Sequence, residues 1–445
     1  MIFLKKILSL RNKKFVRDAS VLQLGSIFST GLSFLASIVY ARILGINGYA
    51  NYALIFAFVS LTGIFMNVGT NETAITLLAE AYAENNREKI KNLLTYYIKI
   101  TFLFALVVGL IIIIFAPFLT SLFYHNREIG RLARIVVIGN ISQIFFYMYT
   151  IVLQIMRKIK NLTIVENLNK IFGVVVPVSL VLAGFGLKGL VFGYLVVTLC
   201  FALFSILAYR RLWLRSQVLP SWLEIIGNLR RVKLAYYFKF GFLIAVDKNL
   251  GSLYSTLPIF ILGMFSFDQV AFFKIATAYA GLPSILISPV SRLLMVQLPK
   301  SKIYSLAILK RDFVRSSFGG FLITFGAALV LVFLAPILIP LVYGQSYLFA
   351  ICLSYPLLLG TVISSWGLGL SSIFRTLNLM KKSIIINFVL IVAGSGLLCF
   401  LAKNYSINVS VWAIALWLPL ATMVFFFYVL NYMNKKIKVT NETGE

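Results

Sequence analysis

The stretch IKITFLFALVVGLIIIIFAPFLTSLFY, residues 98–124, carries a single charge, Lys99, near its start. A helix needs roughly 20 apolar residues to cross a hydrocarbon core about 30 Å thick, and this run has them to spare. A second stretch, SSFGGFLITFGAALVLVFLAPILIPLVY at 316–343, repeats its design. Ala116-Pro117 is followed by Leu122 and Tyr124, and Ala335-Pro336 by Leu341 and Tyr343, an offset of 219. One such run would suit a buried core helix. A dozen in succession would not, because no soluble core could cover them all.

Working outward, similar runs predict helices near 20–41, 49–68, 98–124, 132–156, 163–184 and 188–209. The second half adds 235–262, 269–298, 316–343, 347–374, 383–402 and 409–432. The amphipathic string ETAITLLAEAYAE predicts that the second helix continues as an extension to about residue 83. Composition agrees with a membrane protein, being 60% hydrophobic and only 12% charged, with mean hydropathy +0.95. The fold class expected is an all-α polytopic membrane protein of about twelve transmembrane helices.

Charge sets the expected orientation. With the amino terminus inside, 33 of the 41 Lys and Arg fall on the cytoplasmic side. The exceptions are Arg42, Arg127, Arg131, Arg134, Lys188, Lys248, Lys274 and Lys403. That bias predicts both termini in the cytoplasm. The net charge of +28 then reads as orientation and attraction to anionic lipid, and no nucleic-acid partner is expected.

Further matches support an internal repeat. Ile43-Leu44-Gly45 recurs as Ile261-Leu262-Gly263, while Arg157 maps on Arg375 and Asn169 on Asn387, all at an offset of 218. Six helices per repeat makes the two halves parallel, with the substrate path expected between them. The domains predicted are a bundle at 1–209, a linker at 210–234 and a second bundle at 235–445. Trp213, Trp222, Leu223, Ile225, Ile226 and Leu229, mixed with arginines, suggest that the linker lies in the cytoplasmic interface.

Ionisable groups at membrane depth are costly and are therefore functional candidates. Asp247 and Lys248 fall midway along the seventh helix, Lys274 near the outer end of the eighth and Arg292 near its inner end. Lys274 and Arg292 either snorkel to the nearest headgroups or line a wet cavity, whereas Lys248 is too deep to reach either surface. A cavity with Lys248, Lys274 and Arg292 would suit an anionic, phosphate-bearing substrate. Arg42 could join them, although an interfacial anchor is its more ordinary role. Asp247 and Glu72 are candidates for a coupling H+ or Na+. Asn140, Gln143 and Tyr147 form a polar stripe on the fourth helix, suited to sugars or to interhelical hydrogen bonds. Cys200, Cys352 and Cys399 lie within apolar runs, and His125 is the only histidine, so no His/Cys metal site is expected. No nucleotide, zinc or Ser/His/Asp motif is present, so neither a cofactor nor enzyme chemistry is expected.

The strings YARILGINGYANYALIFAF at 40–58 and GIFMNVGTNETAITLLAE at 63–80 resemble the amino-terminal signature of Wzx-type O-antigen and polysaccharide repeat-unit flippases. VDKNLG at 246–251 resembles the same family, whereas Lys274 in AFFKIA departs from its usual small or aromatic residue. These proteins belong to the multidrug/oligosaccharidyl-lipid/polysaccharide exporter superfamily, so the resemblance implies a MATE-like fold of two pseudo-symmetric six-helix bundles. It also implies export of an undecaprenyl-diphosphate-linked oligosaccharide across the bacterial inner membrane, by rocking around a cationic cavity, and association with polysaccharide polymerase machinery. Multidrug or lipid II exporters of the same superfamily are the rival readings, with a membrane polymerase a remote one. Replacing Lys248 with Ala should abolish surface polysaccharide while leaving insertion intact, and replacing Arg42 should cost less. Surface polysaccharide at the parent level in the Lys248→Ala strain would remove Lys248 from the substrate path.

Overall fold

The repeat noticed in the sequence reappears as two helices of identical length. In the computed structural model, which describes residues 14–66, 69–216, 218–231 and 234–443, α3 spans Arg87–Tyr124 and α11 spans Leu306–Tyr343, 38 residues each. At 1.5 Å per residue each is about 57 Å long, well beyond the hydrocarbon core. Both therefore begin earlier than the predicted 98 and 316, and their first turns project beyond the apolar span. Both are capped in the same way: the Asn86 side chain accepts from the Lys89 N–H, and Ser305 from that of Ile308. Buried positions also coincide. Ile90, Leu94, Ala105, Gly109, Ala116, Thr120 and Tyr124 on α3 correspond, at the offset of 219, to Leu309, Phe313, Thr324, Ala328, Ala335, Ile339 and Tyr343 on α11. Their opposite faces leave large apolar side chains such as Ile114, Phe118, Phe333 and Ile337 exposed, as a lipid-facing surface requires.

The first half of the chain contains, besides α3, α1 (Lys14–Gly63), α2 (Thr70–Ala83), α4 (Arg127–Ile155), α5 (Ile159–Leu180), α6 (Gly186–Leu214) and the short α7 (Trp222–Gly227). Helix α4 packs between α3 and α6, and α2 lies on α3 and α4. The second half contains α8 (Leu234–Phe265), α9 (Val270–Ala280), α10 (Leu282–Tyr304), α11, α12 (Phe349–Ser364), α13 (Leu370–Thr376), α14 (Met380–Asn404) and α15 (Ile407–Thr443). There, α12 packs on α9, α11 and α15, and α14 on α15.

Nine stretches among the described residues are long and apolar enough to cross a membrane. Three of them contain a break at glycine, the last of these at Gly369, φ 92°, within Phe349–Thr376. Gly45 has φ 66°, and Gly184 and Gly186 have φ 90° and 56°, backbone that L side chains adopt only under strain. At the second break the chain folds back on itself, since Gly189 lies against the Leu180 carbonyl and Gly193 against Pro177.

The predicted extension of the second helix to residue 83 is interrupted. The helix stops at Gly63, and α2 starts afresh at Thr70 behind Gly69, whose φ is 80°. The linker also differs from the single interfacial helix expected. Helix α6 runs on to Leu214, and α7 is only six residues long. The residues fall into two compact units, one of residues through Leu44 with Phe58–Val246, the other of Gly45–Ala57 with Asp247–Glu445. The division in α8 lies past the predicted boundary at 234/235 and assigns the whole linker to the first unit.

The repeat loses register at one connection. His125 and Asn126 join α3 to α4, whereas Gly344–Leu348, with a 3-10 turn at Gln345–Tyr347, joins α11 to α12. That connection is three residues longer, and the helical stretch after it, Phe349–Thr376, is one residue shorter than Arg127–Ile155, so later correspondences move by two. The left-handed Arg157 (φ 53°) after α4 corresponds to Asn378 (φ 58°) after α13, an offset of 221. Counted along the elements, Arg157 is therefore not the counterpart of Arg375, nor Asn169 of Asn387.

Small residues let helices touch backbone to backbone. A methyl group at Gly130 on α4 would overlap the Ala116 carbonyl and Pro117 of α3. Gly130→Ala should destabilise the protein by about 1–3 kcal/mol, seen as a lower melting temperature in detergent. Gly31→Ala, with open space around it, should leave that temperature unchanged.

Candidate functional site

In the first unit, the polar stripe on α4 is gathered by a residue that the sequence reading did not select. Tyr194 on α6 donates its hydroxyl to Asn140 Oδ1 at 2.6 Å and accepts from Gln143 Nε2 at 3.1 Å. Tyr147, largely exposed, donates to Gln143 Oε1 at 3.0 Å. The result is a directed chain from Tyr147 through Gln143 and Tyr194 to Asn140. Gly139 makes it possible, because a methyl group there would lie 2.8 Å from Thr198 Oγ1 and 3.0 Å from the Tyr194 ring. Asn140, Gln143 and Tyr147 share one helix face at spacings of three and four. Two other polar residues of α4 lie apart from them: Tyr149 is buried against Phe204, and Gln154 is exposed.

Arg134, a helix turn and a half before Asn140, shows what one of the non-cytoplasmic charges does. Its Nη2 donates to the Ile114 carbonyl at 3.1 Å, beside the Pro117 interruption of α3. Proline removes a helix hydrogen bond and turns nearby carbonyls outward, where a guanidinium can reach them.

In the second unit, Asp247 ends another directed chain. Tyr254, seven residues further along α8, donates to Asn387 Oδ1 at 3.2 Å. Asn387 Nδ2 approaches Ser383 Oγ at 3.4 Å, and Ser383 donates to Asp247 Oδ1 at 2.6 Å. Ser383 and Asn387 are both buried on α14. Every donor in the chain points toward the carboxylate. Trp417 of α15 closes the cluster, its ring 5.4 Å from that of Tyr254 and its Nε1 donating to the Leu390 carbonyl at 2.9 Å. Among the described residues no cation lies at ion-pair distance from Asp247, and its carboxylate accepts from the Ser383 hydroxyl.

Of the predicted cations, Lys248 and Lys274 are described in this unit, and neither is at ion-pair distance from Asp247. Lys248 is exposed, rotated about 100° from Asp247 on the helix. Lys274 is half-buried on α9 within the candidate span Val270–Ser288, and no described residue supplies it with a carboxylate or hydrogen-bond acceptor. Its neighbour in sequence, Phe272, stacks edge-on with Tyr347 and Phe349 at 6.0 and 5.5 Å. Arg42 is exposed on α1, just before the break at Gly45. Glu72 stands in the first turn of α2 and Arg292 within α10, and the side chains of both lie outside the described residues.

Long lipid-facing helices, a repeated pair with matching buried faces, and satisfied polar chains inside each unit define a multi-pass membrane transporter fold. The chain belongs to the polysaccharide biosynthesis protein family, whose model matches residues 15–295. Among solved structures, the fold is similar to an inward-facing multidrug resistance MATE family transporter of the MOP superfamily. That match has 18% identity and a TM-score of 0.73, and covers 92% of this chain and 96% of the other. The lipid II flippase MurJ in an inward closed conformation is equally similar in fold, with 14% identity, a TM-score of 0.73, and coverage of 93% and 87%. A MATE structure in the bent conformation matches with 17% identity and a TM-score of 0.62, covering 97% and 98%. No curated protein sequence matches the chain. The MATE-like fold expected from the sequence is therefore present, and these fold relatives are transporters and flippases rather than enzymes.

Removing the bridging hydroxyl tests the first chain. Tyr194→Phe leaves Asn140 and Gln143 without their shared partner, and should cost about 1–3 kcal/mol of stability. A melting temperature in detergent equal to that of the parent would show that Tyr194 does not hold the stripe together.

Proposed function

We propose that the chain is a flippase. Its cargo is an undecaprenyl-diphosphate-linked oligosaccharide, the repeat unit of O-antigen or a similar surface polysaccharide. It moves this cargo from the cytoplasmic to the periplasmic leaflet of a bacterial inner membrane by alternating access through a cationic cavity. The observation that carries this reading is Lys274, half-buried in a candidate span with no carboxylate among the described residues to neutralise it. A cation at that depth is costly unless an anion answers it, and a diphosphate supplies one. Family membership supports a role in polysaccharide biosynthesis. The fold shared with a lipid II flippase supports a lipid-linked cargo, whose sugars and phosphates cannot enter hydrocarbon unaided.

The same reading takes the chain as crossing the membrane twelve times, with both termini in the cytoplasm and the finished unit handed to polymerase machinery outside. Lys248, Arg292 and Arg42 supplement Lys274 along the anion path. Asn140, Gln143 and Tyr147 offer amide and phenol groups to sugar hydroxyls, and Tyr147 is the most accessible of them. Asp247 is the group for a coupling H+ or Na+, with Glu72 as a second, because the Asp247 carboxylate is met by the Ser383 hydroxyl and by no cation among the described residues.

The test is reconstitution of the full chain in proteoliposomes with a lipid-linked oligosaccharide, scoring how much becomes accessible at the opposite leaflet. Lys274→Gln should slow this by about tenfold or more, the loss of one charge-assisted contact, and Lys274→Arg should retain part of it. Asp247→Asn should remove the response to an imposed H+ or Na+ gradient. Undiminished flipping by Lys274→Gln, or a parent protein that moves organic cations and no lipid-linked saccharide, would overturn the reading.

A further inference from the structure

The short helix α7 is held firmly yet leaves its most apolar side chains uncovered. Ser221 caps it, with its side chain accepting from the Glu224 N–H at 3.1 Å while its own N–H donates to Glu224 Oε2 at 3.3 Å. Glu224 also receives Arg87 Nη2 from α3 on both carboxylate oxygens, at 2.9 and 3.1 Å. Asn228 donates to Asn92 at 2.7 Å, and Trp222 packs on the Tyr209 ring at 4.9 Å and donates to the Ile206 carbonyl at 3.3 Å. These ties from α3 and α6 turn Ile225 fully inward. The same ties leave Leu223 82% exposed and Ile226 57% exposed.

This exposure continues a surface that already faces lipid. Leu199, Leu203, Leu207 and Leu214 are exposed at helical spacing along α6, ending where the chain turns toward α7. Charge frames the patch. Arg210, Arg211 and Arg215 close α6, and Arg230 and Arg231 follow α7, all exposed. Glu224 is the only acid between Arg210 and Arg231, and Arg87 already occupies it. Among the described residues none of these five arginines meets a carboxylate at ion-pair distance.

We propose that α7 and its flanking arginines form a docking surface for anionic phospholipid. Leu223 and Ile226 enter the headgroup–acyl boundary, while the guanidinium groups take lipid phosphates in bidentate fashion. Apolar residues flanked by unanswered positive charge match an anionic bilayer surface better than a zwitterionic one. The pinning of α7 to α3 through Glu224 and Asn228 makes the site built rather than induced. It depends neither on the cargo proposed above nor on which leaflet the helix meets.

The test uses the full-length chain in nanodiscs, where both leaflets are accessible. An L223W variant is compared with the parent chain, so that the difference in fluorescence reports the new indole alone. Brominated phosphatidylglycerol should quench it about twofold more than brominated phosphatidylcholine at equal mole fraction. That preference should weaken as salt is raised, because the attraction is screened, and should weaken also in R230Q/R231Q. Equal quenching by the two lipids would overturn the proposal by making the face an ordinary part of the lipid belt. Absence of quenching by either would overturn it too, assigning the face to a protein partner or a second copy. The salt series needs no variant at the arginines, so a failure of R230Q/R231Q to insert leaves the test intact.

Discussion

Hydrocarbon offers no hydrogen bonds. Every backbone N–H and C=O inside the bilayer must find its partner within the protein, and for an open chain the helix is the solution. The rest of this structure depends on that constraint. It fixes the secondary structure before any side chain is considered, and it limits each interruption to a place where something else answers the freed groups. Gly45 and the pair Gly184 and Gly186 break helices where the backbone takes positive φ, and Arg134 reaches a carbonyl beside the Pro117 kink. Side chains obey the same requirement. Asn140, Gln143 and Tyr194 satisfy one another, and Asp247 is met by Ser383 rather than left bare.

The fold was legible in the sequence because hydropathy runs and basic loops are signals written residue by residue. The Ala-Pro repeat at 116 and 335 was enough to pair α3 with α11, whose caps and buried faces agree. Helix ends were less legible. The first three turns of α3 carry Arg87, Lys89 and Lys91, which hydropathy assigns to a loop, yet the Asn86 cap starts the helix there. Matching by identity alone also misled: Arg157 with Arg375 is a coincidence of letters, undone by a longer turn and a shorter helical stretch that together move the register by two.

The site was legible only in part. Asn140, Gln143 and Tyr147 stood out because polar residues are rare in such runs, and Asp247 for the same reason. Their partners did not stand out, because Tyr194, Ser383 and Asn387 sit on other helices, and nothing in one chain's order says which helices will touch. A spacing argument could have reached Tyr254, seven residues from Asp247 and on the same face. Depth along the chain does not by itself say which way Lys248 and Lys274 face. Adjacent helical residues diverge by about 100°, so Asp247 enters a packed cluster while Lys248 remains exposed.

The equal lengths of α3 and α11 carry a consequence for how such a chain can change. Adding or deleting one residue inside either helix would rotate its remaining face by about 100° and bring lipid-facing side chains into the packed seam. Both helices are thereby closed to insertions and deletions, while their sequences remain free to drift within size and polarity. The turn at Gly344–Leu348 is open to them, since a longer loop costs little in closure entropy. Between the two halves this connection differs by three residues, whereas α3 and α11 have the same count.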